Sequence, residues 1–468
     1  MRAIRAGGGL RGSGWFLVAT ILCQAGASAR ADDVVAPGAQ ATPAPVDEGV
    51  LSLSRLAELE QRAGNGGAEE PVTEAPILAG WDKKDGFFIR SADNNFLLKM
   101  GGRLQLRYTY KGRDQRGDAP NTPEEEGVDD SFFEIERARL SFTGHVLTPN
   151  LTYNYTIDGD TDGAGVVDTF YAYVKYAASK SWWDNSLMSI GGGIWKPHFL
   201  RQEATSSSAQ QFVDRSLANE FFNIDRNLGV WIDGSWEFMF YELAVTNGWD
   251  SGNTETATVD NIPAFIAKLD FTLMGENERG SYEESNFKFK DDPLFVIGFS
   301  GATDASNGSS GVANQTQWDA LQCGIDATFK WGLFSIQGEY MARWLDYEAP
   351  ALPAGGDTDT NFAHGFYLQT GVFLMPDTIE VAGRVSAIWS DGNQSGSGFE
   401  AGPVLNWFIS KSHKVKLQTD LLYFDISDDL PPQSEDLEVT ASNFSSSAAN
   451  LQEGEQGVML RTQLQLQW

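Results

Sequence analysis

Cysteine is nearly absent: two in 468 residues, Cys23 and Cys323. Cys23 falls within an N-terminal leader, so only Cys323 remains beyond it, which excludes an intramolecular disulfide and the small disulfide-stapled scaffolds of secreted proteins. The four histidines (His145, His198, His364 and His413) are scattered, and no pair has the spacing of metal ligands. Basic residues are outnumbered, 34 Lys and Arg against 64 Asp and Glu, giving a formal charge of −30 that disfavours nucleic acid as a partner. After the first thirty residues no stretch is apolar for eighteen positions, so no transmembrane helix is expected in the mature chain. Catalytic signatures are missing too. There is no Gly-x-Ser-x-Gly element, and Gly191–Gly193 lacks the Gly-Lys-Ser/Thr ending of a phosphate loop. Neither an enzyme nor a cofactor or metal is expected.

Arg2, Arg5 and Arg11 precede "WFLVATILCQAGA", and Ala27, Ser28, Ala29 and Ala31 follow. A basic start, a short apolar run and small residues make 1–31 an export signal, with cleavage after Ala29 or Ala31. Leu22 stands where a lipoprotein needs a small residue before Cys23, so lipidation is not expected. Residues 32–80 read as a periplasmic low-complexity segment, with "APGAQATPAPVDEG" and "GNGGAEEPVTEAP" flanking "VLSLSRLAELEQR". That last piece is a short helical linker or, alternatively, a coil of barely two heptads able to trimerise.

From there the period becomes two. In "NFLLKMGGRLQLRYTYKGR" (95–113), Leu98, Met100, Leu104, Leu106, Tyr108 and Tyr110 alternate with Lys99, Arg103, Gln105, Arg107, Thr109 and Lys111. Soluble strands average about five or six residues, whereas roughly nine to eleven tilted residues cross a bilayer. Sixteen such segments follow one another to Trp468, separated alternately by tight turns (147–150, 330–333, 375–378, 410–413) and long polar connections (112–131, 197–226, 346–361, 425–456). Only 275–292 breaks this rhythm. An even strand number, short periplasmic turns and long extracellular loops define an all-β transmembrane antiparallel barrel over 81–468, closed because lipid cannot satisfy an open edge. Trp and Tyr near strand ends, such as Trp331, Trp389, Trp407 and Trp468, fit interfacial girdles. A β-sandwich, that is, a non-channel exported surface binding protein, is the alternative of a different class.

Several stretches are similar to the phosphate-selective porin O/P family: "DNNFLLKMGGRLQ", "FEIERARLSFTG", "GGGIWKPHFLRQEATSSSAQQFVDRS" and "LNWFISKSHKVKLQTDLLYF". The resemblance spans roughly 86–468. It departs at Lys196-Pro197-His198-Phe199, where the family's proline is shifted, and at Trp468, where phenylalanine is commoner. It implies a homotrimeric outer-membrane channel for phosphate, pyrophosphate or related anions, with an inward-folded loop and a basic ladder, in contact with lipid and lipopolysaccharide.

Alternation assigns the lumen-facing positions. Lys99, Arg103, Arg107, Arg137, Arg139, Arg384 and Arg461 are the candidate anion path, and closure of the last strand on the first would join most of them into one cationic stripe. Lys196, Arg201, Arg215 and Arg226 are candidates at a constriction in the loop at 197–226. The competing reading of the same residues is bracing: lumen acids such as Asp158, Asp270, Asp326, Glu339 and Asp420 pair with them, leaving a non-selective or cation-preferring diffusion porin. "DGDTDG" (158–163) begins like a calcium loop, but Thr169 occupies its twelfth position, so an acidic hairpin turn is expected there.

Overall fold

A computed structural model describes residues 77–82, 86–115, 128–159, 167–178, 187–236, 238–249, 262–275, 282–307, 317–348, 360–391, 395–427, 430, 445–446, 451–452 and 454–468. The export signal, the low-complexity segment up to residue 76 with its helical piece, and residues 160–163 of the calcium-like turn lie outside them.

A hairpin, β1 (Ile77–Asp82) and β2 (Gly86–Ser91), leads into the barrel. The wall begins with β3 (Leu97–Gln115), β4 (Val128–His145), β5 (Leu151–Asp158), β6 (Asp168–Ala177), β7 (Leu187–Trp195) and β8 (Asn227–Trp236). It continues through β9 (Met239–Thr246), β10 (Ala264–Met274), β11 (Leu294–Asn307), β12 (Gln317–Trp331) and β13 (Phe334–Glu348). Then come β14 (Thr360–Met375), β15 (Ile379–Asp391), β16 (Gly396–Phe408) and β17 (Val415–Ile426). A two-residue pair, β18 (Ser445–Ser446) and β19 (Leu451–Gln452), precedes the last wall strand, β20 (Glu455–Gln467).

Each wall strand pairs antiparallel with its neighbour, and β20 pairs with both β17 and β3, so β3–β17 and β20 close a sixteen-stranded cylinder. The seam registers Arg461 with Thr109, Gln463 with Arg107 and Gln467 with Arg103, and backbone bonds between Gly102 and Trp468 (3.2 and 3.1 Å) finish it. Solvent preference is inverted relative to a soluble protein. Leu104, Leu106, Val230, Leu321, Leu368, Leu405, Leu421 and Leu464 are exposed on the outside, while Gln105, Arg107, Lys268, Asp326, Arg343, Glu380 and Lys416 are buried inside. Among the described residues no helix is long and apolar enough to cross a membrane.

Two features extend the sequence reading. β1 starts at Ile77, inside the stretch read as linker, and β2 pairs with Leu97–Met100 of β3, just where β20 has ended. β3 and β4 run into both ends of the expected loop 112–131, over 112–115 and 128–131, because Tyr110–Asp129 (3.1 Å) and Arg113–Asp130 (2.9 Å) continue the cross-strand pairing in polar form.

Residues 282–292 of the connection that broke the turn rhythm enter the lumen from the side opposite the long loops. Of these, Glu284, Ser285 and Asn286 are buried, and Phe287 packs edge-on against Phe373 and Phe408 at 5.2 and 4.9 Å.

Candidate functional site

The connection between β7 and β8, 196–226, folds into the barrel. It carries two short helices, α1 (Arg201–Ala204) and α2 (Leu217–Phe222), the second capped by Ser216, whose hydroxyl accepts from the Asn219 amide at 3.2 Å. Its apolar residues Phe199, Leu200, Phe212, Leu217, Phe221 and Phe222 form one cluster with Met341, Leu345, Tyr367, Ile388, Leu422 and Phe424 of the inner wall. Polar clamps fix it as well. The Arg201 amide donates to Glu339 (2.8 Å), Gln211 Nε2 to Glu380 (2.8 Å), the Val213 amide to Asp420 (3.2 Å), and Lys416 Nζ to the Gln210 carbonyl (2.8 Å). The loop therefore fills the β12–β17 side of the lumen and leaves open space along the β3–β8 side.

The seam brings the candidate stripe together, but its upper part is locked under this loop. Arg107 meets Glu136 (3.0 Å), Asp214 (3.2 Å) and Glu134 (3.7 Å), while Arg461 meets Asp420 (2.7 Å) and Asp214 (3.7 Å). Arg384 is held by Glu400 (2.6 Å) and donates to the Asp214 and Arg215 carbonyls. Arg201 is fully buried against Asp326 and Asp270, over the Tyr282 ring at 4.9 Å. Lys99 lies nearer the rim, registered with Phe88 and Thr143. The stripe is thus not one continuous open surface, because a buried guanidinium demands a carboxylate and the loop supplies it.

What stays open is a cavity of about 490 Å³ beside the loop. Six basic side chains (Arg103, Arg137, Arg139, Lys196, Arg215, Arg226) and six acidic ones (Glu136, Asp158, Asp168, Glu203, Glu220, Asp225) line it, so partners rather than numbers decide its polarity. Arg139 is tied to Asp158 at 2.5 Å, Arg137 to Glu136 at 3.1 Å, and Arg226 to Asp225 at 2.7 Å. Lys196 is tied to Glu203 and Asp225, and Arg215 to Glu203 at 2.7 Å.

Arg103 differs. Its guanidinium donates to the hydroxyls of Ser207 (2.7 Å), Ser206 (3.0 Å) and Ser208 (3.1 Å), and no carboxylate among the described residues pairs with it. Arg139 also reaches Ser207, at 3.3 Å. Glu220, on the loop, is buried without a partner at Oε1, and that burial, with Asp214 adding to it, pushes its carboxyl up to about 7.

Two β-bulges shape this wall, and alternation alone hid both. In β4 the register slips so that Glu136 has no cross-strand partner, and Glu136 and Arg137 both point inward. In β6 a slip at Thr156/Ile157 turns Phe170 into the lumen, where it lies between Arg139 (3.5 Å) and Arg226 (3.9 Å). The first slip has a sequence trace, since apolar residues at 133 and 135 give way to 138 and 140. Ser206–Ser208 and Asp214, in a loop without periodicity, have none. Among the described residues no cluster of His, Cys, Asp and Glu is arranged to hold a metal ion.

Comparison with known proteins accords with this geometry. Porin O of Pseudomonas aeruginosa is 25% identical over 291 residues, covering 56% of this chain and 62% of that relative, so the chain spans less than two thirds of its length. An anion-selective porin from Comamonas acidovorans superposes with a TM-score of 0.51 at 9% identity, covering 79% of this chain and 99% of the other. OmpT of Vibrio cholerae in a trimer form gives the same TM-score, identity and coverage, and these two likenesses bear on the fold alone. A family model described as phosphate-selective porin O and P matches residues 103–418, more than half of the chain, and the chain belongs to that family of outer-membrane β-barrel porins.

Proposed function

We propose that the chain forms a passive outer-membrane channel for small anions, phosphate among them, and that Arg103 with Ser206–Ser208 is where the anion is received. One observation carries this reading: Arg103 is a guanidinium in an open cavity whose partners are three neutral hydroxyls. An entering oxyanion can take over those hydrogen bonds without displacing a carboxylate, and arginine's planar fork matches its oxygens. Low-dielectric walls strengthen the attraction. Arg137, paired with Glu136 and Asp214, and Arg139, paired with Asp158, add field rather than a free site.

The other cationic candidates on the wall and loop, Arg107, Arg384, Arg461 and Arg201, act in this reading as clamps that hold the loop in place. A homotrimer set in lipid and lipopolysaccharide, exported through residues 1–31, belongs to the same proposal. The six-to-six balance of charges favours the second reading, a general diffusion porin. Reversal potentials in planar bilayers under a potassium chloride gradient separate the two. Chloride should permeate better than potassium, and Arg103→Ala should abolish most of that preference, whereas Lys290→Ala, removing a cation exposed beside Asp377, should leave it intact. A potassium preference in the native channel would establish the general porin instead.

A further inference from the structure

A second cavity, about 420 Å³, opens beside the first and shares Asn154, Tyr171, Lys196, Ala204 and Ser206 with it. Its character is different. An aromatic track begins at Phe170 in the first cavity and steps edge-on to Tyr171 (4.7 Å), Tyr173 (6.2 Å) and Trp231 (5.5 Å), ending in the stacked pair Trp231–Trp195 at 4.3 Å. The wall is thinned to admit it, since a Cβ on Gly191 would lie 2.1 Å from the Trp231 ring. This gives Gly191 a role that no phosphate-loop reading supplies.

The polar fringe is fixed and balanced, Asp233, Glu242 and Asp270 against Lys175, Lys196 and His198. Asp233 accepts from Trp231 Nε1 (3.0 Å) and Lys175 (2.7 Å), and Glu242 pairs with His198 (2.7 Å). Asp270, another lining residue, accepts from the Tyr282 hydroxyl at 2.5 Å.

A bare inorganic anion needs no such chamber, and the chamber's lysines, Lys175 on Asp233 and Lys196 on Glu203 and Asp225, are already paired and offer no second anion site. What fits is a neutral ring with one apolar face and many hydroxyls. The edge-on step between Tyr173 and Trp231, 83° between planes, leaves no parallel slot for a flat base. The puckered C–H face of a sugar can instead lie against one ring while Asn154, Lys175 and Asp233 meet its hydroxyls. We infer that the paired cavities take a sugar phosphate, its phosphate on Arg103 and Ser206–Ser208 and its pyranose ring against Tyr173, which the buried Trp231 backs edge-on. This rests on the anion reading above and names its substrate class.

The test is block of chloride current through the full-length purified channel in planar bilayers, with inorganic phosphate, a hexose 6-phosphate and the free hexose as probes. The hexose phosphate should block at a concentration about tenfold below phosphate, and the free hexose more weakly than either. Trp231→Leu, and separately Tyr173→Leu, should narrow that ratio to below about twofold, with heat-modifiable migration certifying a folded barrel. If hexose phosphate and phosphate block equally in the native channel, the sugar assignment falls while the anion site stands. If the free hexose matches its phosphate, the phosphate is no anchor and the assignment is again overturned. If neither phosphate compound blocks, the anion reading itself fails.

Discussion

Arg107 on the barrel wall and Asp214 on the inward loop meet at 3.2 Å, both almost entirely buried. The same carboxylate lies 3.7 Å from Arg461 and 3.8 Å from Arg137, so one loop residue answers three wall guanidiniums across the barrel seam. Removing it leaves Arg107 and Arg137 sharing Glu136 and Arg461 on Asp420 alone, an excess of buried positive charge that costs less than the ~3–5 kcal/mol of breaking an isolated buried pair. Asp214→Ala should therefore loosen the loop: single-channel conductance rises, open-channel noise grows, and the barrel's heat-modified band shift occurs at a lower temperature. Native conductance and noise in this variant would mean that Glu339, Glu380 and Asp420 suffice as anchors.

Glu136 is the extra residue of the β4 bulge. Cutting a residue from mid-strand ordinarily flips every later side chain to the other face. Here deletion of Glu136 leaves Phe133, Ile135, Ala138 and Leu140 on the lipid side and Glu134, Arg137 and Arg139 within, because the bulge already absorbs the phase slip. The deletion should fold to a heat-modifiable barrel, whereas deletion of Ala138 should not. Arg107 and Arg137 each lose a carboxylate, so the chloride-to-potassium permeability ratio should rise by roughly twofold, read from the reversal potential.

Legibility in the sequence followed the solvent boundary. Leu104, Leu106, Leu421 and Leu464 face lipid while Arg107, Gln105, Asp420 and Gln463 face the lumen, and that contrast at period two exposes all sixteen wall strands and the inward charges. It cannot say which charges end up paired. Arg107 meets Glu134 and Glu136 of the next strand, but its third partner, Asp214, lies more than a hundred residues away in an aperiodic loop. The β1–β2 hairpin is illegible in the sequence because Ile77–Asp82 is short and opens on a proline- and acid-rich stretch that reads as linker. Arg103, identified by alternation, gains its distinction only from Ser206–Ser208, whose small side chains matter by position alone.

Glu220 gives the cavity a pH dependence. Its carboxyl is pushed up to about 7 by burial and by Asp214, with Arg215 and Lys196 opposing. Below that pH it is neutral and the cavity is more positive; above it the carboxylate adds a negative charge. Anion preference should therefore fall as pH rises from 6 to 8, by reversal potential, and Glu220→Gln should flatten the profile at its low-pH level. A raised carboxyl pKa also means that the ionised form destabilises the folded loop, so the heat-modification temperature should drop over the same interval. A flat profile in the native channel would assign Glu220 no electrostatic part.

Gly144, near the periplasmic end of β4, tests the β3–β4 pairing next to the seam. A Cβ there would lie 1.8 Å from the Leu97 carbonyl oxygen, which also accepts the Tyr153 hydroxyl at 3.2 Å, and a backbone atom in a paired strand cannot swing aside. Gly301 in β11 has nothing within 4 Å of the same construction. Gly144→Ala must part β3 from β4 where the ladder is nearly complete, at a cost at or above the ~1–3 kcal/mol of ordinary overpacking. The folded, heat-modifiable fraction recovered from refolding should drop sharply for Gly144→Ala and stay at the native level for Gly301→Ala. Equal recovery of the two would show that β3 and β4 do not approach as closely at this rim, and the seat of β2 on Leu97–Met100 would then have to be redrawn.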